Sequence, residues 1–179
     1  MRVNLISGVM DQVKEYKKLY IVRHGKSSWD FPGISDIDRP LIERGVSGSY
    51  RMARTFFGKN APPDILFTSP AIRALHTAVI FARTLEMPSG LVRIENSIYS
   101  ATDNELLEFI YSLDDSLNAI MVFGHNPCLT DFSNRFLTDK IDNLPTSGMV
   151  SLFFLTNSWK EIGPNTLKVE EFDYPKKHI

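Results

Sequence analysis

Three short segments of the chain carry side chains suited to handling phosphate. They are Arg23-His24-Gly25, Thr68-Ser69-Pro70 with Arg73 one helical turn on, and Gly124-His125-Asn126. Two guanidinium groups offer planar donor pairs that match anionic oxygens, and backbone N–H groups at helix starts add to them. A phosphate group is therefore the natural guest and a carboxylate the weaker alternative. A metal ion suits the set poorly, because arginines raise the electrostatic cost of a divalent cation and no matched carboxylate ligand is evident. Of the 4 histidines in the chain, two stand in these segments. Taken singly, each residue also has a plain structural reading: a core histidine bonded to a carbonyl, a salt-bridged surface arginine, or a helix cap at Ser69 or Asn126. His76 and His178 are left out of the set.

Each segment follows a short apolar run of the kind that forms a buried parallel strand. These runs are Leu19-Tyr20-Ile21-Val22, Asp64 to Thr68 and Ala119 to Gly124. Helices are expected between and after them. Val46, Tyr50, Ala53 and Phe57 recur at helical spacing from Glu43 to Phe57. Ser69-Pro70 offers a cap and a first helical residue for a helix running to about Glu86, with Ile72, Leu75, Val79 and Ala82 inward. Asn126-Pro127 repeats that start signal for a helix ending near Thr138. A weaker strand at Leu91 to Ile94, a helix from Asn104 to Leu113, and strands at Met149 to Leu155 and Leu167 to Phe172 complete the pattern, the last antiparallel or at an edge. The expected class is a three-layer α/β/α sandwich with a mostly parallel central sheet. In such a sheet ligands bind outside the carboxyl ends of the strands, which lets the three segments meet at one site.

A chain of 179 residues with 43% hydrophobic content suits one domain, read here as residues 17–179 behind an N-terminal extension 1–16. A short helix is expected from Val9 to Tyr16, and Met10 is an alternative start. The balance of 20 basic against 21 acidic residues gives no long-range attraction to nucleic acid or an anionic membrane, so neither is expected as a partner. The lone Cys128 excludes an intramolecular disulfide and a cysteine-rich metal site. Neither a membrane-spanning run nor a convincing signal core is present, and a cytoplasmic location is expected.

The string Leu19-Tyr20-Ile21-Val22-Arg23-His24-Gly25-Lys26-Ser27 resembles the signature of the histidine phosphatase, or phosphoglycerate mutase-like, superfamily. Phe67-Thr68-Ser69-Pro70-Ala71-Ile72-Arg73-Ala74 with Thr77-Ala78 resembles its second block, and Val122-Phe123-Gly124-His125-Asn126-Pro127 its third. The resemblance implies that His24 is a nucleophile carrying a transient phosphohistidine. It further implies that Arg23, Arg73 and His125 stabilise the phosphoryl oxygens, with Ser27 and Asn126 as further phosphate-binding candidates and no cofactor. Where relatives place a carboxylate acid, this chain reads Ile98-Tyr99-Ser100, and Asp38, Asp103 and Glu105 are unassigned candidates for that role. A missing acid and the short Thr84 to Asn104 connection favour the SixA-like branch and a phosphorylated substrate with a labile phosphoryl group, such as a phosphohistidine-bearing protein. Asp38-Arg39-Pro40-Leu41 and Pro145-Thr146-Ser147-Gly148 are given scaffold roles. A small-molecule phosphomonoesterase or mutase and a phosphoprotein-binding module are the alternatives.

Overall fold

The computed structural model describes residues 16–29 and 33–178. Six strands form one sheet: β1 (Tyr16–Arg23), β2 (Ile65–Thr68), β3 (Val92–Ile94), β4 (Ala119–Gly124), β5 (Met149–Leu155) and β6 (Leu167–Asp173). Their order is β3-β2-β4-β1-β5-β6. The first four are mutually parallel, and β5 runs antiparallel to both β1 and β6. The helices are α1 (Glu43–Phe57), α2 (Ile72–Thr84), α3 (Asp103–Tyr111) and α4 (Cys128–Asn134).

Alternation along the strands builds the three layers, since successive side chains point to opposite faces of a sheet. On β1, Leu19 and Ile21 join a core with Leu106 and Ile110 of α3 and Leu129 and Phe132 of α4. Tyr20 and Val22 point the other way and pack with Met52, Ala53 and Phe56 of α1 and Ala78 and Phe81 of α2. Each large apolar side chain so buried contributes roughly 1.5–3 kcal/mol, so the central strands are anchored from both sides.

The inward faces of the first two helices differ from the expectation. On α1 the buried residues are Gly45, Ser49, Met52, Ala53 and Phe56, while Phe57 is exposed. On α2, Ile72 is exposed, Leu75 and Val79 are half-buried, and Arg73, Ala74, Thr77, Ala78 and Phe81 point inward. Close approach explains the rotation. A Cβ on Gly45 would lie 2.1 Å from the Lys26 carbonyl oxygen, so α1 touches the loop after β1 through its smallest residues. On α2, Arg73 and Thr77 turn inward because both hold that same loop region, as described below.

The helix starts also differ. Ala71 rather than Ser69 precedes α2, and Pro127 rather than Asn126 precedes α4, which ends at Asn134. Ser69 Oγ accepts from Ala71 N–H at 3.3 Å just ahead of α2 and also meets His125, while Asn126 turns its amide nitrogen toward Asn143 and Leu144 and its Oδ1 caps no helix. Thr102 does cap α3, in a reciprocal pair with Glu105. The helix expected from Val9 to Tyr16 lies outside the described residues except for Tyr16, which begins β1. No helix among the described residues is long and apolar enough to cross a membrane.

Candidate active site

Three adjacent strands, β2, β4 and β1, end side by side and deliver the three polar segments to one place. Backbone bonds continue the ladder past the strand ends: His24 N–H donates to Gly124 O at 3.2 Å, and Ser69 N–H to Phe123 O at 3.0 Å. The Pro145–Gly148 turn clasps the end of β1, with Ser147 N–H donating to the carbonyls of Arg23 and His24. Its scaffold role follows from these bonds.

His24 is 8% exposed, and its Nδ1 lies 2.7 Å from the Gly25 carbonyl oxygen. A carbonyl can only accept, so Nδ1 carries the ring proton and Nε2 holds the lone pair. Burial pushes the pKa of His24 down to about 3, opposed by the Gly25 carbonyl and reinforced by His125, Arg73 and Arg23. The ring is neutral at pH 7. Gly25 is fixed in turn, its N–H donating to Thr77 Oγ1 at 2.9 Å while that hydroxyl donates to Arg73 O.

The His125 ring centroid is 5.0 Å from that of His24, and its Nε2 is 2.8 Å from Ser69 Oγ. Burial lowers its pKa to about 4, with Arg73 adding to the shift and Asp36 opposing it. Arg23 donates from NH1 to Leu144 O at 2.7 Å and Asn143 Oδ1 at 3.2 Å. Asn126 Nδ2 donates to the same two acceptors, which ties Asn126 to Arg23 rather than to a helix start.

Sequence reasoning missed a second ring of residues. Asp36 accepts from Arg73 at 2.8 Å, Arg39 at 2.8 Å and the Tyr99 hydroxyl at 2.9 Å, and its main-chain carbonyl also accepts from Arg73. Partial burial would raise the pKa of Asp36, but bonds from Arg73 and Tyr99 and the nearby arginine charges hold it below the usual carboxylate range. Arg39 donates to Ser27 Oγ, so the Ser27 hydroxyl is already engaged by the protein. The neighbouring Asp38-Arg39-Pro40 string was the available signal, and it pointed to scaffold alone.

These residues line an open cavity of about 490 Å³ that also includes Lys26, Ser100 and Thr146. None of the three unassigned acids lines it. Asp38 is bonded to Ser35, Asp103 to Arg135, and Glu105 to Thr102. Among the described residues, four side-chain polar atoms are buried without a hydrogen-bond partner: Arg23 Nε, Arg73 Nε, His125 Nδ1 and Asn126 Oδ1. All four belong to residues lining this cavity. Unsatisfied buried polar groups are costly and cluster where a ligand completes them. No group of three His, Cys, Asp or Glu side chains placed to hold a metal occurs among the described residues.

The sequence profile of the histidine phosphatase superfamily (branch 1) matches residues 19–93, the stretch that carries Arg23, His24 and Arg73. Over that stretch, about two fifths of the chain, the sequence is similar to the histidine phosphatase superfamily. His125 lies beyond the matched stretch, and the fold brings it to the same site. An uncharacterized chloroplastic protein of Arabidopsis thaliana is 27% identical over 176 residues, covering 91% of this chain and 80% of that protein. A 2,3-bisphosphoglycerate-dependent phosphoglycerate mutase of Bifidobacterium longum is 42% identical over 67 residues, but these are 35% of this chain and 26% of the mutase. Among solved structures, a SixA protein of Agrobacterium tumefaciens superposes with a TM-score of 0.74 at 22% identity, covering 89% of this chain and 98% of that one. The protein histidine phosphatase SixA complexed with tungstate gives 0.72 at 19% identity, with 89% and 98% covered. At these identities the likeness to SixA is one of fold, and it places this chain on the compact SixA-type architecture.

Proposed function

We propose that this phosphatase works without a metal, through a covalent phosphohistidine on His24, and that its substrate is phosphohistidine in a protein or another labile phosphoryl donor. The observation that carries the reading is the clustering of the unpartnered buried atoms of Arg23, Arg73 and His125 around a neutral His24. The Nε2 lone pair attacks phosphorus while the bond to the leaving atom breaks and its electron pair departs with that atom. Water then attacks the phosphorus, the N–P bond breaks, its electrons return to Nε2, and the water's proton passes to solvent. Arg23 and Arg73 neutralise the equatorial oxygens, and His125 donates a hydrogen bond to them. A bound phosphate dianion offsets the arginine charges and so favours a proton on His125.

Asp36 is the carboxylate in the cavity, and its depressed pKa makes it a poor proton donor at neutral pH. The mechanism therefore supplies no strong acid to the leaving group. Phosphohistidine needs none when its other ring nitrogen is protonated, since it departs as neutral imidazole. Residues 17–179 are assigned as the catalytic domain, and a reducing compartment such as the cytoplasm suits the buried Cys128 thiol.

Rapid quench with a labelled phosphohistidine peptide tests this reading. Wild type is expected to trap acid-labile phosphate on His24, and His24→Ala to lose turnover while keeping its fold. Near-normal turnover in the variant overturns the assignment. Turnover is also expected to survive a chelator, and loss restored by one added divalent cation would refute the metal-free route. Across a leaving-group series, phosphohistidine and aryl phosphates should exceed alkyl monoesters by about a hundred-fold or more, the typical worth of a missing acid. Sugar phosphates or nucleotides turned over as fast as phosphohistidine would favour a small-molecule enzyme.

A further inference from the structure

A second hollow, of about 760 Å³, opens beside the catalytic cavity and shares Lys26 and Thr146 with it. One wall is a stripe of α1 made of Arg44, Ser47, Gly48 and Arg51, whose spacing puts them on one helix face. Tyr174, Pro175 and Lys176 form part of the wall opposite. A Cβ on Gly48 would come 3.4 Å from Ser147 Oγ and 3.5 Å from a Pro175 ring carbon, so a larger side chain there would fill the space between the walls, which Arg51 NH1 spans by donating to Pro175 O at 3.3 Å.

Charge is concentrated here. Lys26, Arg44, Arg51 and Lys176 face Asp142 alone, a local balance of four minus one on a chain whose net charge is -1. All four cations are exposed, and among the described residues none of them has an ion-pair partner. Like charges gathered along a concave wall raise the local concentration of anions at its mouth.

We propose that this hollow docks an acidic, extended peptide segment flanking the phosphorylated residue, which makes the substrate a protein. The proposal rests on the phosphatase reading of His24. The spread of the cations decides between a peptide and a second phosphate group. Arg44 and Arg51 lie seven residues apart, about 10 Å along the helix axis, which matches roughly three residues of extended chain. A single phosphate needs its donors converging on one point, and these cations are distributed along a track. The track leads into the catalytic cavity at Lys26.

The test compares three substrates: a phosphohistidine peptide flanked by glutamates, the same peptide with glutamines in their place, and p-nitrophenyl phosphate. Wild type should prefer the glutamate peptide in kcat/KM, and the preference should fade as salt rises. Arg51→Glu with Lys176→Glu should cut kcat/KM for the glutamate peptide by about tenfold or more, as expected for reversing two exposed charges. The other two substrates should be unaffected. Gly48→Phe should produce the same selective loss by filling the groove without changing charge. Equal processing of both peptides by wild type, or an equal loss on all three substrates in the variants, overturns the docking groove. Failure of the catalytic reading is separately visible: binding of the unphosphorylated glutamate peptide to His24→Ala, read by titration calorimetry, needs no turnover.

Discussion

Asp36 places a negative charge against Arg73, which the proposed mechanism assigns to a phosphate oxygen. Its carboxylate holds Arg73 while the substrate is away, and it repels the anion that must replace it there. Asn at this position keeps an acceptor for the Tyr99 hydroxyl and removes the charge. Asp36→Asn is therefore expected to bind orthovanadate roughly threefold more tightly, the scale of an exposed charge interaction; unchanged or weaker inhibition would count against this role. The residues legible in the sequence were those whose chemistry declares itself: Arg23, His24 and His125 stand at or just after the end of an apolar strand, and Arg73 opens the helix that follows another. Asp36, Arg39 and Tyr99 carry no such mark, because loops bring them into the site across sequence distances that no local pattern encodes. Ser27 and Asn126 were read as phosphate contacts, and both do line the cavity. Their hydrogen bonds in this structure go to Arg39, Asn143 and Leu144.

At the scale of elements, the approach of α1 to the loop after β1 is set by glycine. Gly45→Ala forces a Cβ against the Lys26 backbone, and backbone cannot swing aside as a side chain can. Overpacking of this kind costs about 1–3 kcal/mol, which corresponds to a fall in Tm of roughly 2–12 °C for a chain of this size, measurable by calorimetry. Activity should fall further than stability, since the displaced residues adjoin His24. A Tm within a degree of wild type would show that the loop yields freely. Thr77→Val removes the acceptor of the buried Gly25 N–H, a loss of about 1–3 kcal/mol. Strand positions were legible throughout, because β4 is a continuous apolar run and β5 an apolar run broken only by Ser151, both bounded by polar turns. The inward faces of α1 and α2 were not, because hydrophobic periodicity ranks large apolar residues and overlooks the small ones at which elements touch.

Across the whole molecule, the two buried histidines tie stability to pH. Both have folded pKa values, about 3 and about 4, below the ordinary 6.5. Between those values and pH 6.5 the unfolded chain binds more protons than the native one, so stability falls as pH falls through that window. Asp36, also depressed, works in the same direction at its acidic end. Tm should thus decline steadily from pH 6.5 toward 4, and His24→Gln should decline less steeply; a flat profile in wild type would contradict the burial of these rings. One feature of the sheet also governs how the protein is born. Strand β1, which leads into His24, lies between β4 and β5, so Leu19 must wait for Ile120 on one side and Leu152 on the other. At synthesis rates of about 5–20 residues per second, that wait lasts roughly 5–30 s. Until β4 emerges both edges of this apolar strand are open, and until β5 emerges one still is, which is the state most prone to pair with a stranger. Translation arrested anywhere before β5 is complete therefore releases an aggregating fragment, not a feeble enzyme.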